Sequence, residues 1–486
     1  MTRPRAPYWT LVALAAAMAA PVAWGTAALV GLAVAVTAYR AARSLARRRA
    51  AAAPTADSIL LGTDSGGRKV WIGQHELAAH GLILGASGAG KTTTLLALVC
   101  EQIKRGRPVV ALDMKGSPAF AAALADAAAS AGRPFRIWTP DGPTHWNPLR
   151  HGNATELKDK LIATERFTEP HYQRAAERYV QTALQVIQAS QPGRPPTLSQ
   201  VVDLMDPHRL AGSLRALPRD RAERVQDYLA GLTPDQVSAV RGLQTRLAIV
   251  TESHTGPYLE PGGDHEQIDV RSALSGPEVV LFSLNSSTYG KLAAQLGTLA
   301  VQDLVCAAGH RLSAGLTGPA PRPATVAIDE SSVLGENLIS LFARCREAGI
   351  GALAATQEMA DFDRVAPGLR DQVLGNTAFK LAHRQDVPSS AQIVAQMAGT
   401  ETAWEETERI GASPFGGYRG GRGTRRQVEQ FVVHPNEVKT LGTGQAVLIS
   451  KLRGGRPGTV RVAAPARAQP GRSPAPARGP DGPEIG

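Results

Sequence analysis

The sequence contains little cysteine, and that scarcity excludes proteins held together by a disulfide framework or by a cysteine-ligated zinc ion. Its three cysteines among 486 residues are Cys100, Cys306 and Cys345. They lie in apolar or helical stretches, and no two have the Cys-x-x-Cys spacing. A disulfide framework and a cysteine-ligated zinc site are therefore excluded, and we expect the part of the chain that carries them to face the cytoplasm.

Residues 6–39 contain no charged side chain, which predicts a membrane segment. As one helix the run would be about 50 Å long, whereas the hydrocarbon core is ~30 Å thick. Pro21 and Gly25 interrupt it near the middle. Arginines flank both ends: Arg3, Arg5, Arg40, Arg43, Arg47, Arg48 and Arg49. Because basic flanks stay inside, we predict a membrane anchor at 1–49 formed by a helical hairpin at 8–39, with one tilted span as the alternative. The length of the run disfavours a cleaved signal peptide.

Acidic residues are fewer than basic ones. The chain has 42 Asp and Glu against 53 Lys and Arg, a formal net charge of +11 and a pI of about 9.8. Such a balance favours a polyanionic partner or an anionic membrane surface. The alternative is that an Arg-, Ala-, Gly- and Pro-rich composition produces the same charge without any such partner.

An apolar run from Leu82 ends in Gly85-x-x-x-x-Gly90-Lys91-Thr92, which is followed by apolar residues at helical spacing. This strand–loop–helix order predicts a phosphate-binding loop, in which backbone N–H groups hold phosphates at a helix N-terminus. Lys91 would reach the β- and γ-phosphates and Thr92 would ligate Mg²⁺, so the predicted cofactors are ATP and Mg²⁺. The alternative is a glycine-rich turn that binds nothing. The predicted nucleotide-binding residues are Gly85, Ala86, Ser87, Gly88, Ala89, Gly90, Lys91, Thr92 and Thr93.

Two further apolar runs end in polar residues. Ala324–Ile328 is followed by Asp329 and Glu330. We expect Asp329 to hold the Mg²⁺ hydration shell and Glu330 to orient or deprotonate the attacking water; a turn that caps the next helix is the alternative. Gly351–Thr356 is followed by Gln357, which can contact the γ-phosphate or its water. For Gln357 the alternative is the start of a surface loop.

Strand and helix patterns alternate on both sides of a long helical segment, which predicts an α/β fold with a mostly parallel sheet. The predicted nucleotide-binding domain covers 58–154 and 256–452, and an all-α domain is inserted at 155–255. Residues 50–57 read as a linker. The Pro-rich tail at 464–486 is expected to be disordered.

Two further segments are rich in arginine, and their residues alone do not assign them a function. A helix predicted at Leu338–Ala348 carries Arg344 and Arg346. The Gly/Arg-rich segment 411–426 is expected to be a flexible loop that could touch a nucleic-acid backbone. Its arginines are Arg419, Arg422, Arg425 and Arg426.

The chain resembles the coupling proteins of conjugative type IV secretion, the TraG/TraD class within the FtsK/HerA superfamily of motor ATPases. The likeness spans about 58–452, with the anchor and the inserted helical domain. The motifs that carry it are His80-Gly-Leu-Ile-Leu-Gly-Ala-Ser-Gly-Ala-Gly-Lys-Thr, Leu112-Asp-Met-Lys-Gly116, Gly132-Arg133, Asn147-Pro148-Leu149, Arg346-Glu-Ala-Gly-Ile350 running into Thr356-Gln357, and Gly375-Asn-Thr-Ala-Phe-Lys380 through Arg384-Gln-Asp386.

This resemblance implies a RecA-like P-loop domain and a homo-hexameric ring in the inner membrane. Such a ring would use ATP to recruit or pump DNA, single-stranded with an attached relaxase, toward a type IV secretion channel. Within it, Arg346 corresponds to the arginine that acts in trans on the neighbour's ATP, with Arg344 as the competing candidate, and Gln357 corresponds to the γ-phosphate sensor. The family's all-α domain is associated with recognition of relaxosome components and DNA.

Other functions fit the sequence less well. An FtsK-type DNA translocase would be expected to carry a DNA-reading domain after its last strand, where this chain has a Pro-rich tail. A transporter ATPase of the ABC class needs Leu-Ser-Gly-Gly-Gln, and the nearest stretch is Leu274-Ser-Gly-Pro277. A membrane adaptor that binds nucleotide without pumping is disfavoured by the intact Asp329–Glu330 pair.

Overall fold

The computed structural model describes residues 57–165, 167, 169–315, 322–411, 418–452 and 456–464. The predicted membrane anchor lies outside these residues. So do the linker, apart from its last residue, and the tail, apart from its first. From Ile59 onward the described residues belong to one compact unit.

Thirteen strands are described, eleven of which form one sheet. In chain order they are β1 Ile59–Asp64, β2 Lys69–Ile72, β3 Gly81–Leu84, β4 Val109–Asp113, β5 Phe135–Trp138, β6 Val279–Ser283, β7 Ala324–Asp329, β8 Ile350–Thr356, β9 Phe379–Ala382, β10 Thr400–Gly411, β11 Tyr418–Phe431, β12 Gln445–Ser450 and β13 Gly458–Val462. The order across the large sheet is β2-β1-β13-β12-β9-β3-β8-β7-β4-β6-β5.

Strands β9 to β5 in that order are all parallel, and β12, β13, β1 and β2 add an antiparallel edge. Every residue of β3, β4, β7 and β8 is buried. Continuous apolar burial is what a parallel strand covered on both faces requires. The predicted α/β fold with a mostly parallel sheet is therefore confirmed.

The helices cover both faces of the sheet and form two hydrophobic cores. In chain order the described α-helices are α1 Gln74–Ala78, α2 Lys91–Lys104, α3 Pro118–Ser130, α4 Ala154–Ile162, α5 Pro170–Ser190, α6 Leu198–Leu204, α7 Pro207–Gly212, α8 Arg219–Ala230, α9 Pro234–Thr251, α10 Val270–Ala273, α11 Ser286–Gly315, α12 Asn337–Cys345, α13 Ala360–Val365, α14 Leu369–Asn376, α15 Pro388–Ala398 and α16 Pro435–Thr440. Three short 3-10 turns are Leu214–Ala216, Gly256–Leu259 and Ser331–Leu334.

Between β5 and β6 the described residues form helices and no extended strand. The first of these helices, α4, is fastened to α11 by a buried ion pair in which Lys160 Nζ lies 2.7 Å from Asp303 Oδ1. The indole N–H of Trp146 donates to the other oxygen of Asp303 at 3.1 Å. A buried pair needs such extra hydrogen bonds to offset the cost of desolvation.

Within the described residues, α11 is the one helix long and apolar enough to cross a membrane. Its backbone is non-helical at Gly290. In the most apolar stretch of this helix, 61% is buried inside the fold. In the same helix, Gly297 packs against Leu334 and Met114. We therefore assign α11 to the core of the nucleotide-binding part.

The expectation of a flexible loop over 411–426 is wrong in the part that the structure describes. Residues from Tyr418 onward belong to β11, which pairs with β10 in an antiparallel ribbon. Opposite charges lie across the ribbon, Glu405 against Arg426 and Glu406 against Arg425. Such cross-strand pairs favour a strand that glycine content alone would disfavour. The last strand in the chain, β13, was not predicted from the sequence either.

Candidate nucleotide site

The candidate site lies at the carboxyl ends of four neighbouring strands, β3, β8, β7 and β4. Their ends are level, because Leu84 pairs with Thr356 and Asp113 pairs with Asp329. Ligands of open α/β sheets bind at this edge. The residues that follow the four strands therefore meet, although they are far apart in the sequence.

The loop between β3 and α2 has backbone angles that only glycine adopts easily. Gly88 has φ +73° and Gly90, at the start of α2, has φ +108°. A Cβ on Gly90 would also lie 3.1 Å from the backbone nitrogen of Gly444. Glycine is thus required at position 90 for two reasons, the left-handed backbone and the close approach of another chain segment.

The loop presents a set of unpaired backbone donors, which fits a phosphate group. Among the described residues, no acceptor receives a hydrogen bond from the backbone N–H groups concerned. Lys91, which is 5% exposed, adds a charged donor beside them. Donors at a helix N-terminus are a suitable cradle for a polyphosphate. The donors are the N–H groups of Ser87, Gly88, Gly90, Lys91, Thr92 and Thr93.

The outside of the loop is held by the residues that directly follow β9 and by the turn before β12. The N–H of Ala86 donates to the carbonyl of Arg384 at 3.0 Å, and the N–H of Gly444 donates to the carbonyl of Ala89 at 3.0 Å. His383 accepts the Thr94 hydroxyl at Nε2 and donates from Nδ1 to the carbonyl of Gln445, at 2.9 and 2.8 Å. Sequence reasoning missed these contacts, since none belongs to the loop motif.

Thr92 and Asp329 form a small oxygen cluster next to the loop. The hydroxyl Oγ1 of Thr92 donates to Asp329 Oδ2 at 2.9 Å, and Asp329 is 1% exposed. No cluster of three His, Cys, Asp or Glu side chains occurs in the described part of the chain. A hydroxyl with one carboxylate suits Mg²⁺, which keeps waters and phosphate oxygens as its other ligands. The donor set therefore fits Mg²⁺ accompanied by nucleotide.

Glu330 has a strained backbone and a heavily bonded side chain. It has φ +55° and ψ +48°, a conformation that is uncommon for a residue other than glycine. Its Oε1 accepts Lys91 Nζ at 3.1 Å and Gln357 Nε2 at 2.9 Å, and it also contacts Lys115 Nζ. Strain of this kind is often found at functional sites.

These contacts decide the charge of Glu330. Burial acts to raise its pKa, but the hydrogen bonds from Lys115 and Gln357 and the charge of Lys91 outweigh it, and the pKa lies below its usual value. Burial lowers the pKa of Lys91, against the attraction of Glu330 and Asp329. For Lys115, burial is outweighed by Glu330 and Asp329, so that its pKa is raised. Glu330 is thus a carboxylate at neutral pH.

Lys115 is the site residue that sequence reasoning missed. It follows β4 in the motif Leu112-Asp-Met-Lys-Gly116, which carries the family resemblance but predicts no role for the lysine. Asp113 holds this turn, because its carboxylate accepts the N–H of Lys115 at 2.9 Å and that of Ser117 at 2.5 Å. Its position beside Glu330 depends on β4 lying next to β7, which the sequence does not state.

The structure does not bring Arg344 or Arg346 to this site. The helix predicted to end at Ala348 ends at Cys345 in the structure. Arg344 therefore lies in its last turn, and Arg346 lies one residue beyond it. Both are exposed, and neither has an ion-pair partner among the described residues. Arg346 precedes β8 and Gln357 follows it, so the length of β8, about 20 Å at ~3.3 Å per residue, separates them.

Known proteins match the chain in two segments and in fold. Residues 42–115 match the FtsK/SpoIIIE family, and residues 323–443 match the TraM recognition site of TraD and TraG. None of the curated proteins compared with the chain matches it. The first segment contains the phosphate loop and Lys115, and the second contains the acidic pair, Arg346 and Gln357.

Solved structures share the fold at low identity. The bacterial conjugative coupling protein TrwBdeltaN70 is 16% identical, with a TM-score of 0.59 over 85% of this chain and 91% of that one. TrwB in complex with ADP and Mg²⁺ is 15% identical, with a TM-score of 0.59 over 85% and 90%. VirB4 of Thermoanaerobacter pseudethanolicus is 12% identical, with a TM-score of 0.52 over 85% and 97%. Together the segments and the fold confirm the predicted resemblance to coupling proteins of the TraG/TraD class.

Proposed function

We propose that the protein is a membrane-anchored ATPase that couples a DNA substrate, with its attached relaxase, to a type IV secretion channel in conjugative transfer. One observation carries the hydrolytic part of this proposal. The predicted water-activating residue, Glu330, lies within hydrogen-bonding distance of both Lys91 of the phosphate loop and Gln357, next to the Thr92–Asp329 cluster.

The binding of ATP and Mg²⁺ follows from the same geometry. The unpaired N–H groups of the loop and Lys91 hold the phosphates, and Thr92 with Asp329 holds the ion. Bound Mg²⁺-ATP supplies the phosphoryl group and neutralises part of its charge. TrwB has been solved with ADP and Mg²⁺ and with a non-hydrolysable ATP analogue, which supports these cofactors.

The chain's own residues then divide the work of hydrolysis. Lys91 moves from Glu330 to the phosphates, and Glu330 orients a water and accepts its proton. Gln357, bonded to the same oxygen of Glu330, senses whether that water and the γ-phosphate are in place. Lys115 keeps a positive charge beside Glu330 while Lys91 is engaged elsewhere.

Completion of the site requires a second subunit. Phosphoryl transfer is accelerated when a guanidinium stabilises the developing charge. Arg346 lies before the amino-terminal end of β8, whereas the nucleotide site lies at the carboxyl end of that strand. Arg346 therefore serves a neighbour's site in a ring. We propose a homo-hexamer, with Arg344 as the competing arginine.

The location follows from the uncharged run at 6–39 and its basic flanks. We propose that residues 1–49 anchor the ring in the inner membrane and that the nucleotide-binding part at 58–154 and 256–452 faces the cytoplasm. The helices within 155–255 form the domain that recognises DNA and relaxosome components. The match to the TraM recognition site of TraD and TraG covers 323–443, outside that domain, and supports a protein partner for the chain as a whole.

Turnover of ATP by the full chain in lipid nanodiscs tests this function. The measurement is made with no DNA, with single-stranded DNA and with double-stranded DNA, over a range of protein concentrations. We expect stimulation by DNA and a rise in specific activity with concentration, as subunits assemble. Lys91→Ala should abolish turnover and transfer of the mobile element.

The competing functions give different results. A nucleotide-binding adaptor binds ATP but shows no turnover that depends on Glu330, so an active Glu330→Gln variant would contradict the motor. An FtsK-type translocase responds to double-stranded DNA alone and continues without a relaxase. DNA-independent turnover with a specific activity that does not depend on concentration would contradict the ring.

A further inference from the structure

We propose that His80 is a positioning residue for the arginine that each subunit presents to its neighbour, because it holds the end of α12, directly before Arg346. The inference rests on the proposed ring function, and it assigns a role to the histidine that opens the phosphate-loop motif. In the part of the chain that the structure describes, the side chain of His80 forms no hydrogen bond with a residue of the nucleotide site. It lies at the other edge of the sheet, immediately before β3.

The imidazole of His80 joins three elements at that edge. Its Nε2 lies 2.9 Å from the carbonyl oxygen of Phe342 in α12. Its Nδ1 accepts the backbone N–H of Ala352 in β8 at 3.0 Å. The ring is 1% exposed and packs on the Phe342 ring with centroids 5.2 Å apart. A single side chain thus connects the start of β3 with the end of α12 and the start of β8.

These two hydrogen bonds define the tautomer. Since Nδ1 accepts from an amide, the proton is on Nε2, which donates to Phe342. The last four carbonyls of a helix have no partner within it, and Phe342 is the fourth residue from the end of α12. His80 therefore satisfies one of these carbonyls from outside and fixes the direction in which the helix ends.

Burial, together with the charge of Arg346, lowers the pKa of His80 to about 4, against the hydrogen bond to Phe342, which acts to raise it. The ring is therefore neutral at physiological pH and keeps both a donor and an acceptor. A residue with one polar atom cannot make both contacts, which accounts for histidine at this position.

The segment that carries Arg346 is fastened at its other end as well. Arg311 of α11 donates from Nε to the carbonyl of Ala348 at 3.3 Å, and the N–H of Gly349 donates to the carbonyl of Arg346 at 3.2 Å. Arg346 is thus an exposed side chain on a backbone held from both sides. A guanidinium that stabilises a transition state must be held within a fraction of an ångström.

The backbone of His80 has φ +66°, which guides the choice of variants. Asparagine tolerates this left-handed conformation, and His80→Asn is too short to reach both Phe342 and Ala352. His80→Gln is a second variant with a longer reach. Each is prepared as the full chain in nanodiscs, and nucleotide affinity is measured with a fluorescent ATP analogue.

The decisive experiment mixes subunits. Glu330→Gln subunits have an inactive site and an intact Arg346, whereas His80→Asn subunits have an intact site and a displaced arginine. We expect His80→Asn alone to lose at least tenfold in turnover with nucleotide affinity within about twofold of wild type. A one-to-one mixture should recover up to about a quarter of wild-type turnover, since one junction in four joins two intact halves. Arg346→Ala is the reference and should behave in the same way.

The outcomes separate this inference from the function on which it rests. If Arg346→Ala recovers in the mixture and His80→Asn and His80→Gln do not, His80 acts within its own subunit and the positioning role is wrong. Loss of nucleotide binding by both His80 variants overturns it too, since the ring would then support its own β3. If Arg346→Ala itself fails to recover, the trans-acting arginine is wrong, and the role of His80 is wrong with it.

Discussion

Lys91 and Glu330 are bonded to each other, Nζ to Oε1, at 3.1 Å. Lys91 is also the residue that we propose binds phosphate, and in that proposal it leaves Glu330 in order to do so. Its charge is one of the factors that hold the pKa of Glu330 below its usual value. Releasing Lys91 therefore makes Glu330 a stronger base, and phosphate binding and water activation become linked through this one contact.

Lys115 should matter for the chemical step more than for binding. Replacing it with glutamine removes a cation from Glu330 but none of the loop N–H groups. We expect Lys115→Gln to lower kcat on the order of a hundredfold, with KM changed by less than about threefold. Because Lys115 lowers the pKa of Glu330, the acidic limb of the pH–rate profile should move to higher pH.

A matched control lies in the helix that follows the phosphate loop. Lys104 forms an exposed pair with Glu101 at 2.8 Å, and such surface pairs contribute little. Lys104→Gln should leave kcat, KM and the pH profile unchanged. An effect of Lys115→Gln no larger than that of Lys104→Gln would remove Lys115 from the site.

The hydroxyl of Thr92 should be needed for Mg²⁺ in particular. Thr92→Val keeps the shape of the side chain but leaves the buried Asp329 without this donor. We expect it to weaken Mg²⁺-dependent nucleotide binding roughly tenfold or more, measured by calorimetry with Mg²⁺ and with a chelator. Thr92→Ser, which keeps the hydroxyl, should bind almost as wild type. Equal losses with and without Mg²⁺ would contradict the assignment.

His383 should make the fold less stable in mild acid. Burial lowers its pKa to about 4, whereas an unfolded chain has a value near 6.5. Between these values the unfolded state binds a proton that the folded state does not, so stability falls as the pH decreases from about 6.5 to about 4. The loss should approach ~3 kcal/mol at the lower limit.

Chemical unfolding across that range measures the effect. His383→Gln should remove its own share of the pH dependence in this window and leave that of His80, whose pKa is also about 4, whereas the exposed His208→Gln should leave the whole dependence unchanged. If the two variants have the same slope as wild type, His383 is not buried as a neutral ring.

The sequence was sufficient to predict those site residues that directly follow an apolar strand pattern. The phosphate loop, Asp329–Glu330 and Gln357 each follow an apolar run, and parallel strands bring such ends together. Lys115 was not predicted as part of the site, since its place beside Glu330 depends on the order of β4 and β7. The roles of these residues stay predictions until the variants are measured.

Other errors have a different cause. The glycine and arginine content of 411–426 predicts a loop. The ribbon of β10 and β11 is instead stabilised by charge pairs between residues some twenty positions apart, which composition alone does not reveal. The helix with Arg344 was predicted to continue to Ala348 and ends at Cys345. A partner from outside the helix, His80, bonds its last turn, and helical periodicity carries no record of that contact.

Two glycines of α11 should respond in opposite directions to the same substitution. A Cβ on Gly309 would meet no atom within 4 Å, whereas a Cβ on Gly297 would lie 2.9 Å from Leu334 Cδ2 and 3.0 Å from Met114 Cε. Gly309→Ala should therefore stabilise the protein by roughly 0.5–1 kcal/mol, the helical advantage of alanine. At Gly297 the same advantage is opposed by overpacking, which costs about 1–3 kcal/mol.

We expect Gly297→Ala to lower the thermal midpoint and Gly309→Ala to raise it slightly. Leu334 ends the turn that begins directly after Glu330, so we expect displacing it to move Glu330, the residue proposed to activate water. Gly297→Ala should accordingly lose turnover beyond what its stability explains, measured well below the thermal midpoint, and Gly309→Ala should not. If both variants gain stability equally, α11 does not pack on this turn, and the connection between the core helix and Glu330 is wrong.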